Sequence, residues 1–515
     1  MPFEMSTTVD IFEEIEAQSR ATFIPAESTS ATLLALDIGS SGIRAALFND
    51  QGAEIDGATV RVGYSASTSE FATFDAEALL EQVAQTIDTL FARLHQSSIH
   101  IELIAISCFW HSLVGIDADG FATTPVLGWA DSRAAAAVYQ LRSEFDEAKT
   151  HARTGCRFHP SYWPAKLRRL RNDEPEVFER TRRWLSFADY LTLNCFGEMS
   201  TSVSMASGTG LLNQRTCEWD SELAEAAGIT LQSLPTIADS HQSFRGLTPA
   251  YELRWPQLSE ARLFPAIGDG AANSIGSGCQ TTERVTLMIG TSGAMRVCFV
   301  GDPPPRLPPE LWCYRADRDR IIIGGALSDG GGLYHWLKES LLAAGDFAAI
   351  ESELNLLLPD AHGLTILPFW AGERSTGWNP DAHGAILGLS LKTMPIEIVR
   401  AAMEAVAYRF AMIARALQPF APGAALVASG YALRSSPTWV QILADVLGRS
   451  VMLSELSEAS MRGAALLALE AAGKIQAIEE FSMPIETVFE PNIAHHARYQ
   501  QGLDRQERIY KKLFT

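Results

Sequence analysis

Leu33-Leu34-Ala35-Leu36-Asp37-Ile38-Gly39-Ser40-Ser41-Gly42-Ile43-Arg44-Ala45-Ala46-Leu47-Phe48 consists of two apolar runs joined by glycine and serine. Runs of this kind, bounded by turn residues, read as β-strands, and so short a connection makes them a hairpin. Asn49-Asp50-Gln51-Gly52 closes the second run as a turn. The pattern returns at Val285 to Ile289, Gly290-Thr291-Ser292-Gly293 and Ala294 to Val300. Both loops read Gly-(Ser/Thr)-Ser-Gly, about 250 residues apart, too far for a solenoid and suited to a duplicated domain.

Outward from the first hairpin, Leu79, Leu80, Val83, Ile87 and Leu90 recur at helical spacing between Asp75 and His95, and Ile101 to Ser107 reads as a buried strand. Strands alternating with helices predict an α/β fold. Pro395 to Leu417 and Ser435 to Leu447 read as helices on the second sheet. The Pro-rich segment 303–309 is excluded from central strands and helices and reads as a surface loop. The expected organisation is an N-terminal extension over residues 1–30 with one short amphipathic helix (Ile11, Phe12, Ile15), a first domain over 31–283 and a second over 284–515.

With 515 residues, 47% of them hydrophobic, the chain can bury two cores without staples. The net charge of −20 argues against a nucleic-acid partner, because phosphate backbones need basic surface. The seven cysteines are scattered, with no Cys-x-x-Cys spacing, so neither a disulfide framework nor a zinc site is expected. No apolar stretch is long enough to span a bilayer, and the acidic N-terminus lacks the form of a signal peptide, so a cytoplasmic protein with no membrane partner is expected.

The two Gly-(Ser/Thr)-Ser-Gly turns carry the strongest chemical signal. Small residues let backbone N–H groups approach phosphate oxygens, and Ser40, Ser41, Thr291 and Ser292 add hydroxyl donors. A single such turn is readily an ordinary hairpin. Two of them, one per domain, can hold a phosphate chain, so ATP across an interdomain cleft is expected. Asp37, at the end of its strand, is placed to hold hydrated Mg2+. Gly268-Asp269-Gly270-Ala271-Ala272-Asn273 brackets a carboxylate with glycines, as suits a general base facing a cleft; a plain Asp-Gly turn is the alternative. Trp110-His111, Trp129-Ala130-Asp131-Ser132-Arg133 and His159-Pro160 combine aromatic rings with polar tips, a mixture that suits a polyol. Arg133, His111 or His159 could receive a carboxylate, with Arg133 best equipped; a core Trp, a salt-bridged Arg and a turn His are the structural alternatives. Gly-x-x-x-x-Gly-Lys, Gly-x-Ser-x-Gly, His-Glu-x-x-His and Gly-x-Gly-x-x-Gly templates are all missing.

These residues together resemble the FGGY family of carbohydrate kinases, and its gluconokinase-like branch in particular, from about Leu33 to Ile475. Asp37 to Gly42 and Ile289 to Gly293 resemble its two phosphate motifs, and Gly268 to Asn273 the segment with the catalytic Asp. Trp110-His111 stands where the family has a substrate-contacting Met-His or Arg-Glu pair. Trp129 to Arg133 resembles the gluconokinase Trp-Ala-Asp-x-Arg run. Further likenesses are Gly324-Gly325, Ala371-Gly372-Glu373-Arg374, Trp378-Asn379-Pro380, and Ser429-Gly430-Tyr431, the last being the adenosine motif with Tyr431 in place of a second Gly. The resemblance implies two actin-like (ribonuclease H-like) domains, each a mixed five-stranded sheet with helices on both faces. It implies Asp269 as catalytic base, with Mg2+ held by Asp37 and Asp269. Gly39, Ser40, Ser41, Gly290, Thr291, Ser292, Gly430 and Tyr431 would contact ATP. Trp110, His111, Asp131, Arg133, His159 and Asp269 would contact a small-molecule sugar or sugar acid, gluconate first and xylulose or another polyol second. Members often form homodimers. An actin-like ATPase without sugar transfer is the rival reading.

Overall fold

A computed structural model describes residues 33–64, 73–94, 100–342, 347–456, 458–481 and 485–514. The expected N-terminal extension and its short helix lie outside the described residues.

Thirteen strands build the two principal sheets. The first sheet contains β1 (Leu33–Ile38), β2 (Gly42–Phe48), β3 (Glu54–Gly63), β4 (Leu103–Cys108), β5 (Arg262–Leu263) and β6 (Ile267–Gly268). The second contains β7 (Arg284–Ile289), β8 (Gly293–Val300), β9 (Trp312–Arg315), β10 (Arg320–Leu327), β11 (Ala425–Ser429), β12 (Val451–Ser454) and β13 (Ile485–Phe489). The first runs β5-β4-β1-β2-β3, with β6 also on β4; the second runs β9-β10-β8-β7-β11-β12-β13.

The repeat seen in the turns extends to topology. In each half an antiparallel hairpin (β1/β2, β7/β8) pairs through its first strand with a parallel neighbour (β4, β11). Its second strand pairs with an antiparallel one (β3, β10). A five-strand plan is common to both halves, but the sheets are not five-stranded: the first has six strands and the second seven. In the first, two short strands share the fifth place. In the second, β9 and β13 extend both edges. Ile485–Phe489 is largely exposed and carries the charged Glu486, which suits an edge strand.

The helix predicted after the first hairpin spans Ala76–Arg93, capped by Asp75, whose Oδ1 accepts from Ala78 N at 2.8 Å. It buries Leu79, Leu80, Val83, Ile87 and Leu90 against the first sheet. Pro395–Leu417 and Pro437–Leu447 are helices on the second core, as their periodicity predicts. Between β4 and β5 the chain leaves the sheet and builds a small core of its own around Trp163, Trp184 and Leu211.

One helix crosses between the halves. Ala459–Ala471 follows β12 of the second sheet, yet Met461, Ala465, Leu466 and Leu469 are buried in the first core. A linear division at residue 283 assigns this helix to the second domain, whereas its apolar face completes the first. It also crosses the helix Asp269–Gly276 with backbone in contact: a Cβ on Gly463 would stand 1.9 Å from Ala272 O, and one on Gly276 1.8 Å from Ala459 O. Only glycine permits that approach.

Candidate active site

Open α/β sheets bind ligands beyond the carboxyl ends of their parallel strands. In the first sheet those ends are Ile38, Cys108 and Gly268, in adjacent register. In the second, Met288 of β7 lies opposite Ser429 of β11. Each hairpin turn is closed by one hydrogen bond, Gly39 N to Gly42 O at 3.0 Å and Gly290 N to Ser292 O at 3.0 Å. Among the described residues, the amides of Ser40, Ser41, Thr291 and Ser292 make no protein hydrogen bond, which leaves two sets of donors for an anion. The second turn is braced from behind, Gly331 N donating to Gly290 O at 2.8 Å and Gly332 N to Thr291 O at 3.0 Å. Gly430 (φ 99°) follows β11 so closely that a Cβ would lie 2.4 Å from Ile289 O. Tyr431 opens the short helix Tyr431–Arg434 and is 66% exposed, so its ring stands clear of that contact.

Register places three groups around the first turn. Asp37 of β1 lies opposite Ser107 on β4 and Arg44 on β2. Ser107 Oγ donates to Asp37 Oδ1 at 2.8 Å, and Arg44 Nη1 to Oδ2 at 3.0 Å. Arg44 and Arg61 both pair with Glu458, at the start of the crossing helix. Asp269 follows β6 as the first residue of the helix Asp269–Gly276, and its Oδ1 accepts from Gly270 N at 2.8 Å. Burial pushes its carboxyl up to about 6; Arg296 opposes that shift and the negative charge of Asp37 adds to it. Arg296 comes from β8 of the other sheet, and its Nη1 donates to Gly270 O at 2.8 Å. Gly324 of β10 lies opposite Arg296 and gives its stem room, since a Cβ there would meet Arg296 Cγ at 2.9 Å. Both sheets therefore converge on one carboxylate.

Trp110 lies beneath that carboxylate and is 5% exposed. Its indole donates to Ser204 O at 2.9 Å, and its ring is pressed against Gly268, where a Cβ would stand 1.9 Å from Cε2. His111 has a left-handed backbone, φ 69°, and its Nδ1 meets Gly208 O. Burial lowers its pKa to about 3, so the ring is neutral, with the proton on Nδ1 and Nε2 left as acceptor. Asp131 is buried and takes the fork of Arg133, Nε at 2.9 Å and Nη2 at 2.6 Å. His159 Nδ1 accepts from Ser161 N at 3.2 Å, which puts its proton on Nε2, 3.0 Å from Glu373 O. Of the three groups expected to receive a carboxylate, Arg133 and His159 thus hold protein partners, and His111 retains one ring nitrogen.

A family description matches each half: residues 32–274 fit the N-terminal domain of the FGGY family of carbohydrate kinases, and residues 287–472 its C-terminal domain. The chain belongs to the FGGY family of carbohydrate kinases. It is 26% identical to a gluconokinase of Bacillus subtilis, over 89% of this chain and 91% of that one. To a xylulose kinase of Escherichia coli it is 25% identical, over 93% and 99%. A crystal structure of gluconate kinase from Lactobacillus acidophilus superposes with a TM-score of 0.83 at 26% identity, covering 93% of this chain and 98% of that one. An FGGY kinase transfers phosphate from ATP to a hydroxyl of a sugar or polyol, and the cleft of this FGGY kinase is built on two α/β domains, as its sequence predicts.

Several cleft residues of this FGGY kinase escape a sequence reading. Arg296 sits inside an ordinary strand. Lys166 is enclosed within the insert, its Nζ donating to His111 O at 2.6 Å and Leu127 O at 3.2 Å; burial drives its pKa down to about 7. Tyr162 and Tyr314, from opposite halves, join hydroxyl to hydroxyl. Asp329 precedes the bracing glycines and accepts from Ala371 N at 3.0 Å; burial raises its carboxyl to about 7. Arg374 lies in a motif the sequence does display, but its surroundings are legible only in three dimensions. Asp360, His362 and Glu404 come together as a group that could hold a metal. Those acids are already engaged by Arg505, Arg400 and Tyr499, so the group ties the C-terminal helix Ile493–Phe514 to the second domain. No helix among the described residues is long and apolar enough to cross a membrane.

Proposed function

We propose that this FGGY kinase phosphorylates a hydroxyl of an open-chain sugar acid, with gluconate giving 6-phosphogluconate, and that Asp269 is its general base. The observation carrying the base assignment is the convergence of both sheets on Asp269, with Asp37 from one and Arg296 from the other. Its carboxyl, lifted to about 6, is a stronger base than an exposed aspartate and is still largely ionised near neutrality.

Asp269 orients the acceptor hydroxyl and takes its proton as the hydroxyl oxygen bonds to the γ-phosphorus and the bond from that phosphorus to the bridging oxygen breaks, releasing ADP. The transition state of such transfers is loose, so alignment and charge stabilisation contribute more than proton removal. The unpaired amides of Ser40, Ser41, Thr291 and Ser292 hold the phosphate oxygens from both sides. Gly430 and Tyr431 border the nucleoside. Asp37 and Asp269 supply hard oxygen donors, which suits an Mg2+ that keeps several waters and is otherwise held by phosphate. That ion would neutralise charge on the phosphates. Trp110, held beneath Asp269, fixes its height, and His111 offers Nε2 to an acceptor hydroxyl. The seven free cysteines, all buried, fit a cytoplasmic enzyme.

A coupled ADP-release assay over gluconate, xylulose, ribulose, glycerol and erythritol tests the reading, with the highest kcat/KM expected for gluconate. A ketopentose is the second reading, favoured by the near-equal likeness to the xylulose kinase. A kcat/KM for xylulose above that for gluconate selects it. ATP turnover that ignores every acceptor would remove the transferase reading altogether.

A further inference from the structure

Arg374 is 8% exposed, and no carboxylate lies within ion-pair distance of it among the described residues. Its Nη2 donates to Leu327 O at 2.9 Å, while Nε is enclosed and has no partner. The guanidinium lies over the ring of Trp129, 4.4 Å from its centroid. Other deeply buried arginines have an ion-pair partner or a second carbonyl that this one does not, although Arg409 Nε and Nη1 also lack hydrogen bonds. Arg400 pairs with Glu404, Arg409 pairs with Glu373, and Arg315 donates to the carbonyls of Gln214 and Arg318. Arg296 and Arg374 both feel the charge of Asp269, and Arg374 that of Asp329, but neither is ion-paired to them; Arg296 donates to Gly270 O.

Holding a guanidinium out of water with no carboxylate in contact costs several kcal/mol. A fold that keeps one in an enzyme cleft has a place for an anion. Two anions enter this cleft: a phosphate of ATP and any charge on the acceptor. The surroundings favour the second. Trp129 belongs to the insert between β4 and β5, and His159 of the same insert donates to Glu373 O, the residue just before Arg374. Tyr162 and Tyr314, joined to each other, act on the guanidinium's charge. The phosphate turns have their own donors. A guanidinium whose Nη1 makes no protein hydrogen bond among the described residues can donate to a carboxylate.

We infer that Arg374 is the acceptor-specificity residue, binding the carboxylate of an aldonate whose far hydroxyl is presented to Asp269. Trp129 holds the guanidinium plane, and Arg133 is engaged by Asp131. This rests on the proposed kinase function.

The test compares D-gluconate with D-glucitol, which has the same six-carbon polyol chain without the charge. With wild type, kcat/KM should favour gluconate by about 10²-fold, the scale lost when a buried charge-paired contact is missing. Arg374→Met should shrink that ratio to within about threefold by raising KM for gluconate, with KM for ATP nearly unmoved, and Arg374→Lys should recover part of it. Equal use of gluconate and glucitol by wild type overturns the inference without needing any variant to fold. So does an Arg374→Met enzyme that keeps the wild-type ratio, or one whose defect is a raised KM for ATP, which would assign the fork to phosphate. Phosphorylation of xylulose but not gluconate overturns this inference together with the sugar-acid reading and leaves the kinase reading standing. ADP release independent of every acceptor overturns the kinase reading as well.

Discussion

Asp269 can take a proton only while ionised. Its carboxyl titrates at about 6 and the base form exists above that value, so acceptor kcat/KM should be flat near pH 8 and fall about tenfold per unit below pH 6. A pH–rate profile checks this; a profile flat to pH 4.5 would remove Asp269 as the base. Asp269→Asn keeps the shape and loses the charge, so turnover should drop by about 10²–10⁴-fold while ATP binding by calorimetry persists. Lys166 acts through His111. With Lys166→Met, the buried carbonyl of His111 loses its donor, a cost of about 1–3 kcal/mol, while Leu127 O keeps the amide of Leu113, and the left-handed His111 loses its brace. KM for the acceptor should rise while KM for ATP stays, and equal effects on both would show a general loss of structure instead. Asp37, Asp269 and the serines of the turns are legible in the chain because each sits in a short pattern with a local reason. Arg374 and Lys166 are not, since an unpaired guanidinium or an enclosed ammonium is a property of what surrounds it.

Elements, in this protein, are read more easily than their partners. The hairpins declare themselves because apolar runs flank turn residues, and their register puts Ser107 and Arg44 beside Asp37. The helix Ala459–Ala471 is different. Its residues say that it is apolar on one side, and nothing in them says that the first core is what it covers. Contact with the helix Asp269–Gly276 is set by Gly463 and Gly276, so Gly463→Val forces backbone apart at the root of the catalytic residue. The expected outcome is a destabilisation of about 1–3 kcal/mol, seen as a lower Tm, together with a larger loss of kcat than of ATP affinity. A variant with unchanged Tm and rate would show that the crossing tolerates separation. The edge strands β9 and β13 are likewise unannounced: β13 is exposed and needs little apolar pattern, while β9 is buried because the first half covers it, Cys313 N donating to Gly155 O.

At the scale of the molecule, the cleft is made by two halves that each hold part of it. First-half residues His159 and Tyr162 already meet Glu373 and Tyr314 of the second half, so the acceptor side is bridged even without ligand. A nucleotide gripped by both turns should stabilise the whole. Tm should rise with the logarithm of ATP concentration, and Ser41→Pro, which removes one turn amide, should flatten that rise. A Tm indifferent to ATP would mean that the turns do not grip it.

The chain declares its duplication, its two α/β sheets and the small residues of its turns, because each follows from local pattern: alternation, spacing, and glycine where a turn must be tight. Folding alone decided the rest. Which helix closes the first core, which arginine is left without an ion-pair partner and which carboxylate is lifted to about 6 depend on groups hundreds of residues apart being packed where water cannot screen them. Burial is a property of the assembled cleft, and it is burial that turns ordinary aspartate and arginine into reagents.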